Sequence, residues 1–293
     1  MSRDSKKLIA AVAALQIILY HCWIPVFRYG TAAGSIERFL VAATYPAVDI
    51  YFFISAYTLA SRPVEDYAAF IKNRAIKMLP MFFAALIAGR FMWFIPSIMA
   101  MYLVMPPLQK ICSKRPLLSL FLLTAIWAVL VYVVLGLLRP PFDIGIFLFR
   151  IPSMILGAYA VRLEGKLSRR RALIAGILLV AAGTALIWKF GYVNRLNQPF
   201  KGIFYLTGIP VVLGTVLILD QLARKGIPRI TERFGSMTLE LYFSQMVLGT
   251  LLVNMLFRVT DNRLLINAVS IAAIIAASAI VKRLNDRLLS FVS

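Results

Sequence analysis

The chain has 293 residues, 61% of them apolar, with a mean hydropathy of +0.84 and a formal charge of +20. Soluble domains are about half apolar, so this composition excludes a soluble globular protein. It also removes the usual meaning of a large positive charge: the cations are spread over membrane loops, no nucleic-acid motif accompanies them, and no nucleic-acid partner is expected.

The fold expected is all-α: a single polytopic membrane domain over 1–293 with about ten transmembrane helices. In chain order the spans are 8–27, 39–60, 78–92, 93–109, 116–138, 144–161, 172–188, 202–220, 236–257 and 264–281. The third and fourth are short and abut at Trp93, with Arg90 and Pro96 bracketing a turn between them. With the N-terminus cytoplasmic, 22 of the 32 Lys and Arg fall on inner segments. They cluster at Arg3, Lys6 and Lys7, then Arg62 to Lys77, Lys110 to Arg115, Arg162 to Arg171, Arg224 to Arg233, and Lys282 to Arg287. This positive-inside bias places both termini in the cytoplasm and gives the loops anionic lipid as a partner. Between spans two and three, 61–77 reads as an amphipathic helix at the inner interface, with Tyr67, Phe70 and Ile71 at helical spacing. The first span lacks a small-residue cleavage site and is expected to stay as a helix. Cys22 and Cys112 fall at opposite ends of their spans and cannot pair. No internal repeat stands out, which argues against an inverted-repeat transporter.

Polar groups at membrane depth are expensive and therefore informative. His21, the only histidine, lies about 20 Å along a hydrocarbon path of about 30 Å. A neutral imidazole there can act as general base for a hydroxyl nucleophile or carry an acyl group itself, although a structural hydrogen bond to a carbonyl would also satisfy it. No second histidine or cysteine pair completes a metal site, so no metal is expected. Asp49 is the carboxylate well inside a span. It could orient His21, pair with Arg150, or cap a broken helix. Arg74 and Lys77, three residues apart, share one helix face at the inner mouth of span three, where they either anchor topology or meet an anion. Arg150 has apolar residues on both sides and must face the protein interior or a wet cavity. In span nine Glu240, Tyr242 and Gln245 read first as inter-helix hydrogen bonds.

Taken in order, LYHC, AVDIYFFISAYTLA, IKNRAIKMLP, MWFIPSIMAMYLVMPPL, FRIPSMILGAY and FGSMTLELYFSQ resemble the integral-membrane acyltransferase-3 family from residue 8 to about residue 250. The resemblance implies a ten-helix protein of the bacterial cytoplasmic membrane. It would move an acyl group, commonly acetyl, from cytoplasmic acyl-CoA to a carbohydrate hydroxyl outside, so that the acceptor is an extracytoplasmic glycan or lipid-linked saccharide. It makes His21 the catalytic histidine, places Arg74 and Lys77 where the family has two arginines for the acyl donor, and matches Arg150 and Tyr242 to an arginine and a tyrosine of later motifs. Asp49 is expected beside His21 and Arg150 with the donor phosphates. The chain departs from the pattern at Ala10, where an arginine is common, at Lys77, at Ile98, and at Gln245, which replaces a histidine. A different class remains possible from the residues alone: a solute transporter or flippase using His21 and Asp49 as a proton relay, or an inert partner in a glycan assembly complex.

Overall fold

The computed structural model describes residues 1–62, 64–114, 116–138, 144–193 and 203–292, with side chains from 105 to 117 and beyond 290 excepted. Arg115 of the inner cations and the outer loop 194–202 lie outside the described residues, as do the side chains of Lys110, Cys112 and Lys114.

Helix α1 (Arg3–Cys22) starts on Ser2, whose hydroxyl accepts from the Ser5 amide, and stops where Trp23 turns extended. The expected second span is two helices, α2 (Ala32–Ala42) and α3 (Ala47–Ala60), separated by a turn that ends on Pro46. Next, α4 (Tyr67–Ile87) is capped by Asp66 and contains Pro80. The expected interfacial helix and the start of span three are thus one continuous element, because inside a helical bundle a proline need not end a helix. The turn after Ile87 leads into α5 (Phe94–Lys114), and α6 (Pro116–Val131) continues through a π-helical stretch to Leu138. A single turn, α7 (Gly145–Leu148), precedes α8 (Ile151–Leu163), and α9 (Arg169–Leu186) runs on to Val193. The chain finishes with α10 (Ile209–Ala223), the short α11 (Arg229–Ser236), α12 (Thr238–Phe257) and α13 (Arg263–Val292).

Among the described residues eight helical segments are long and apolar enough to cross a membrane. The helix α4 is long enough but carries Lys72, Arg74 and Lys77, and the described apolar part of α5 is Phe94–Val104. Burial sorts the eight. Half of the Ala32–Ala60 window and 44% of the α1 window are buried, against 6% for Leu118–Leu138. So α1 and α3 form the centre, while α6 turns Phe121, Ile126 and Val129 outward, an apolar exterior that lipid solvates. The core gathers Ile9, Ala13 and Ile17 of α1, Phe52, Phe53 and Ala56 of α3, Ile95 and Met101 of α5, and Val212 and Val216 of α10.

Two close approaches fix the register of α1 against the last third of the chain. A side chain at Gly235 would meet the Lys7 carbonyl at 2.3 Å, and one at Gly249 would meet the Cys22 sulfur at 2.8 Å. The segment α11–α12 therefore runs alongside α1 in the same direction, its start beside Lys7 and its later half beside Cys22. Near the start of α1 Lys7 pairs with Glu232, and that ammonium holds the carboxyl below the usual carboxylate range.

Candidate functional site

Five helices, α1, α3, α4, α5 and α12, enclose a cavity of about 250 Å³. Its walls are mostly apolar: Ala14 and Ile17 from α1, Val48 from α3, Met78 from α4, Phe94 and Ile98 from α5, and Leu239 and Leu241 from α12. At one end stand Arg74 and Lys77, brought together by the three-residue spacing on α4. The Arg74 guanidinium lies 5.1 Å from the Tyr102 ring centroid and 5.3 Å from that of Phe70, and the two rings meet edge to face at 5.6 Å. Aromatic faces thus orient the cation. Among the described residues no carboxylate pairs with Arg74 or Lys77, so the mouth keeps its positive charge.

Along α12 the lining runs from Thr238 through Tyr242 to Gln245, roughly 10 Å of helix at 1.5 Å per residue. Here buried polar groups are left short of partners: both amide atoms of Gln245 have none, and the Tyr242 hydroxyl, which the Phe94 amide approaches, has no acceptor for its own proton. The Tyr242 ring packs edge to face on Phe94 at 5.5 Å, which holds its hydroxyl in place. Tyr51, by contrast, is satisfied, donating to the Ala10 carbonyl at 2.9 Å.

His21 is not among the lining residues. It follows Ala14 by seven positions and Ile17 by four, and so continues the same face of α1 outward by about 6 Å. Gln245 stands four residues inward of Gly249, which touches Cys22, so the orphaned amide lies about one turn inward of the imidazole. His21 itself is exposed and packs edge to face on Tyr20 at 5.1 Å. The chain just after it is held unusually firmly. Glu37 accepts from the Trp23 indole at 2.9 Å and from the amides of Val26 and Phe27 at 2.8 and 2.9 Å. Asn267 brackets Ile24, accepting from its amide and donating to its carbonyl, both at 2.8 Å, and Arg263 donates to the Pro25 carbonyl at 2.9 Å.

Asp49 and Arg150 meet each other, one of the three arrangements that the sequence left open for Asp49. Asp49 lies in the first turn of α3, and its carboxylate is taken by the Arg150 guanidinium and by the Ser153 hydroxyl at 3.0 Å. Both residues are almost fully buried, and Arg150 also sits 4.0 Å from the Tyr205 ring centroid. The Asp49 charge is thus spent on Arg150. Arg150, at the start of α8, is not among the residues that line the cavity with Arg74 and Lys77. Pairing is the outcome that burial dictates, because either charge alone would cost several kcal/mol. Glu240 is likewise buried, facing Asn285 of α13. Among the described residues no group of three or more His, Cys, Asp or Glu could hold a metal ion.

An apolar cavity with a cationic mouth and unpaired polar groups at its far end has the form of a site for a slender ligand with an anionic head. The sequence matches a family model described as an acyltransferase domain over residues 8–91 and 90–283. The chain belongs to the acyltransferase-3 family. It is a membrane acyltransferase, with helices long and apolar enough to cross a bilayer carrying the matched domain. No curated protein and no solved structure matches it.

Sequence reasoning missed several groups that shape this site. Tyr102 carries Arg74, Phe70 shares it, and Glu37 and Asn267 hold the chain beyond His21. Only Phe70 had a periodic signal, and that pointed to an interface rather than to a cation.

Proposed function

We propose that this acyltransferase takes an acyl group, acetyl for preference, from cytoplasmic acyl-CoA and transfers it to a hydroxyl of a glycan or lipid-linked saccharide on the outer side of a bacterial cytoplasmic membrane. The observation that carries this reading is the cavity itself, with two cations at one end and its far end one helical turn below the lone imidazole.

The size of the cavity decides how the donor sits. Pockets for whole drug-sized ligands run to about 300–1,000 Å³, so about 250 Å³ accommodates an acylated pantetheine arm but not the nucleotide. The phosphates stay at the mouth. Arg74, packed beside the Tyr102 and Phe70 rings, offers its fork to a phosphate, while Lys77 adds a point charge without bidentate geometry. Apolar walls then guide the thioester toward His21 and exclude water that would hydrolyse it.

His21 removes the proton of the incoming hydroxyl, which approaches from the exposed outer side. The clamp of Glu37, Asn267 and Arg263 on 23–27 fixes where the imidazole stands. A proton-relay transporter lacks its second member, since Asp49 is committed to Arg150.

Binding tests the donor half directly. Acetyl-CoA at a hundred times its dissociation constant should stabilise purified protein by about 2.7 kcal/mol, and the Arg74→Ala, Lys77→Ala double variant should lose most of that shift. An equal shift in parent and double variant would remove the mouth from the mechanism. No shift in the parent would remove acetyl-CoA.

A further inference from the structure

We propose that the Tyr242 hydroxyl and the Gln245 side-chain amide are catalytic residues that receive the carbonyl oxygen of the thioester as it becomes an oxyanion. This assignment deepens the proposed function and rests on it.

Three observations point to it. Tyr242 and Gln245 are 8% and 3% exposed, and a buried polar group is almost always paired. Here both amide atoms of Gln245 are unpaired, the Tyr242 hydroxyl is approached by the Phe94 amide but has no acceptor for its own proton, and both residues line the cavity. Left empty, such groups cost free energy that a purely structural pair would avoid by bonding to a neighbouring helix. The two residues are three apart on α12, so both donors face the same stretch of the cavity. That stretch lies about one turn inward of His21, by the contacts of Gly235 with Lys7 and Gly249 with Cys22. A thioester arriving from the Arg74 end would present its carbonyl oxygen to these donors and its carbonyl carbon to a hydroxyl held at His21.

The step balances with these parts. The acceptor hydroxyl oxygen adds to the carbonyl carbon, its proton passes to His21, and the carbonyl electron pair moves onto oxygen, where Tyr242 and Gln245 donate hydrogen bonds. On collapse that pair re-forms the C=O bond and the carbon–sulfur bond breaks. The thiolate then takes the proton from His21 and leaves as CoA thiol, and the acceptor leaves as its ester. Donors fixed in a dry cavity stabilise this charge without reorganising, and losing one from such a site lowers turnover by about 10²–10³. Gln245 suits the task because its amide donates at any pH and does not compete with His21 for the proton.

The test uses inside-out membrane vesicles of the native host carrying parent, Tyr242→Phe or Gln245→Leu protein, with labelled acetyl-CoA outside and incorporation measured into lumenal material. The assignment predicts that each variant loses about a hundredfold or more of the rate at saturating acetyl-CoA, with little change in the half-saturating concentration. It also predicts that purified variants keep the parent's acetyl-CoA thermal shift, and that Gln245→Leu unfolds no earlier than the parent, because it removes only unpaired buried atoms. Full parental rates in both variants would overturn it. So would a raised half-saturating concentration with an unchanged saturated rate, which would make the pair a ground-state contact for the donor's arm. If parent vesicles incorporate no more acetyl than His21→Ala vesicles, the functional reading itself falls, and this assignment with it.

Discussion

Asp49 and Arg150 meet where α3 and α8 begin, and neither is useful without the other. Removing one side of a buried pair leaves an uncompensated charge, so Asp49→Asn or Arg150→Met should each destabilise the protein by about 3–5 kcal/mol. The double variant Asp49→Leu, Arg150→Met should recover most of that loss, as chemical denaturation of the purified protein would read. Equal damage in single and double variants would mean that the pair does more than neutralise itself. At the other end of the bundle, Tyr102→Leu takes away one of the two rings that orient Arg74. It should raise the acetyl-CoA concentration needed for half-saturation several-fold while sparing the saturated rate. The polar residues worth attention were legible in the sequence, because His21, Asp49, Arg150, Tyr242 and Gln245 interrupt apolar runs. Their partners were not. Asp49 had two candidates, His21 and Arg150, and which helix start it faces is set by packing across 101 positions of chain, about which spacing along one helix says nothing.

At the scale of helices, contact distances decide what can change. Gly157 of α8 lies so close to α3 that a Cβ there would fall 2.3 Å from the Phe53 carbonyl oxygen and 2.9 Å from its Cα. Backbone cannot yield as a flexible side chain would. Gly157→Ala should therefore push α8 from α3, loosen the Asp49–Arg150 pair, and lower the thermal midpoint by several degrees. An unchanged midpoint would show the interface to be more compliant than its geometry. The clamp on 23–27 makes a different prediction. Glu37→Gln gives up the bond that Phe27 makes to Oε2 and leaves the two to Oε1 without their charge, so transfer should slow while the acetyl-CoA shift stays intact. A parental rate would show that α1 alone fixes the imidazole. Helix boundaries were readable where a cap or an extended residue marks them, as at Ser2 and Trp23. They were misjudged between 77 and 78, where an expected interfacial helix and an expected span form the single helix α4, with Pro80 inside it.

For the whole molecule, apolarity and cation distribution carried most of the information. A helical membrane fold follows from composition alone, and the positive-inside pattern orders its loops. What composition does not contain is the cavity, since five helices far apart in sequence contribute its walls. Cysteine-free protein carrying Tyr29→Cys should react with an impermeant thiol reagent only from outside the cell, and protein carrying Leu167→Cys only after the inner face is opened; both positions are exposed. The reverse pattern would invert the proposed path from Arg74 to His21. That path is the central claim, and comparing parent with His21→Ala tests it most directly, by measuring acetyl-CoA binding and acetyl transfer on the same preparations. The account predicts that His21→Ala keeps the parent's acetyl-CoA thermal shift and loses transfer entirely. Transfer at the parental rate from the variant would contradict it.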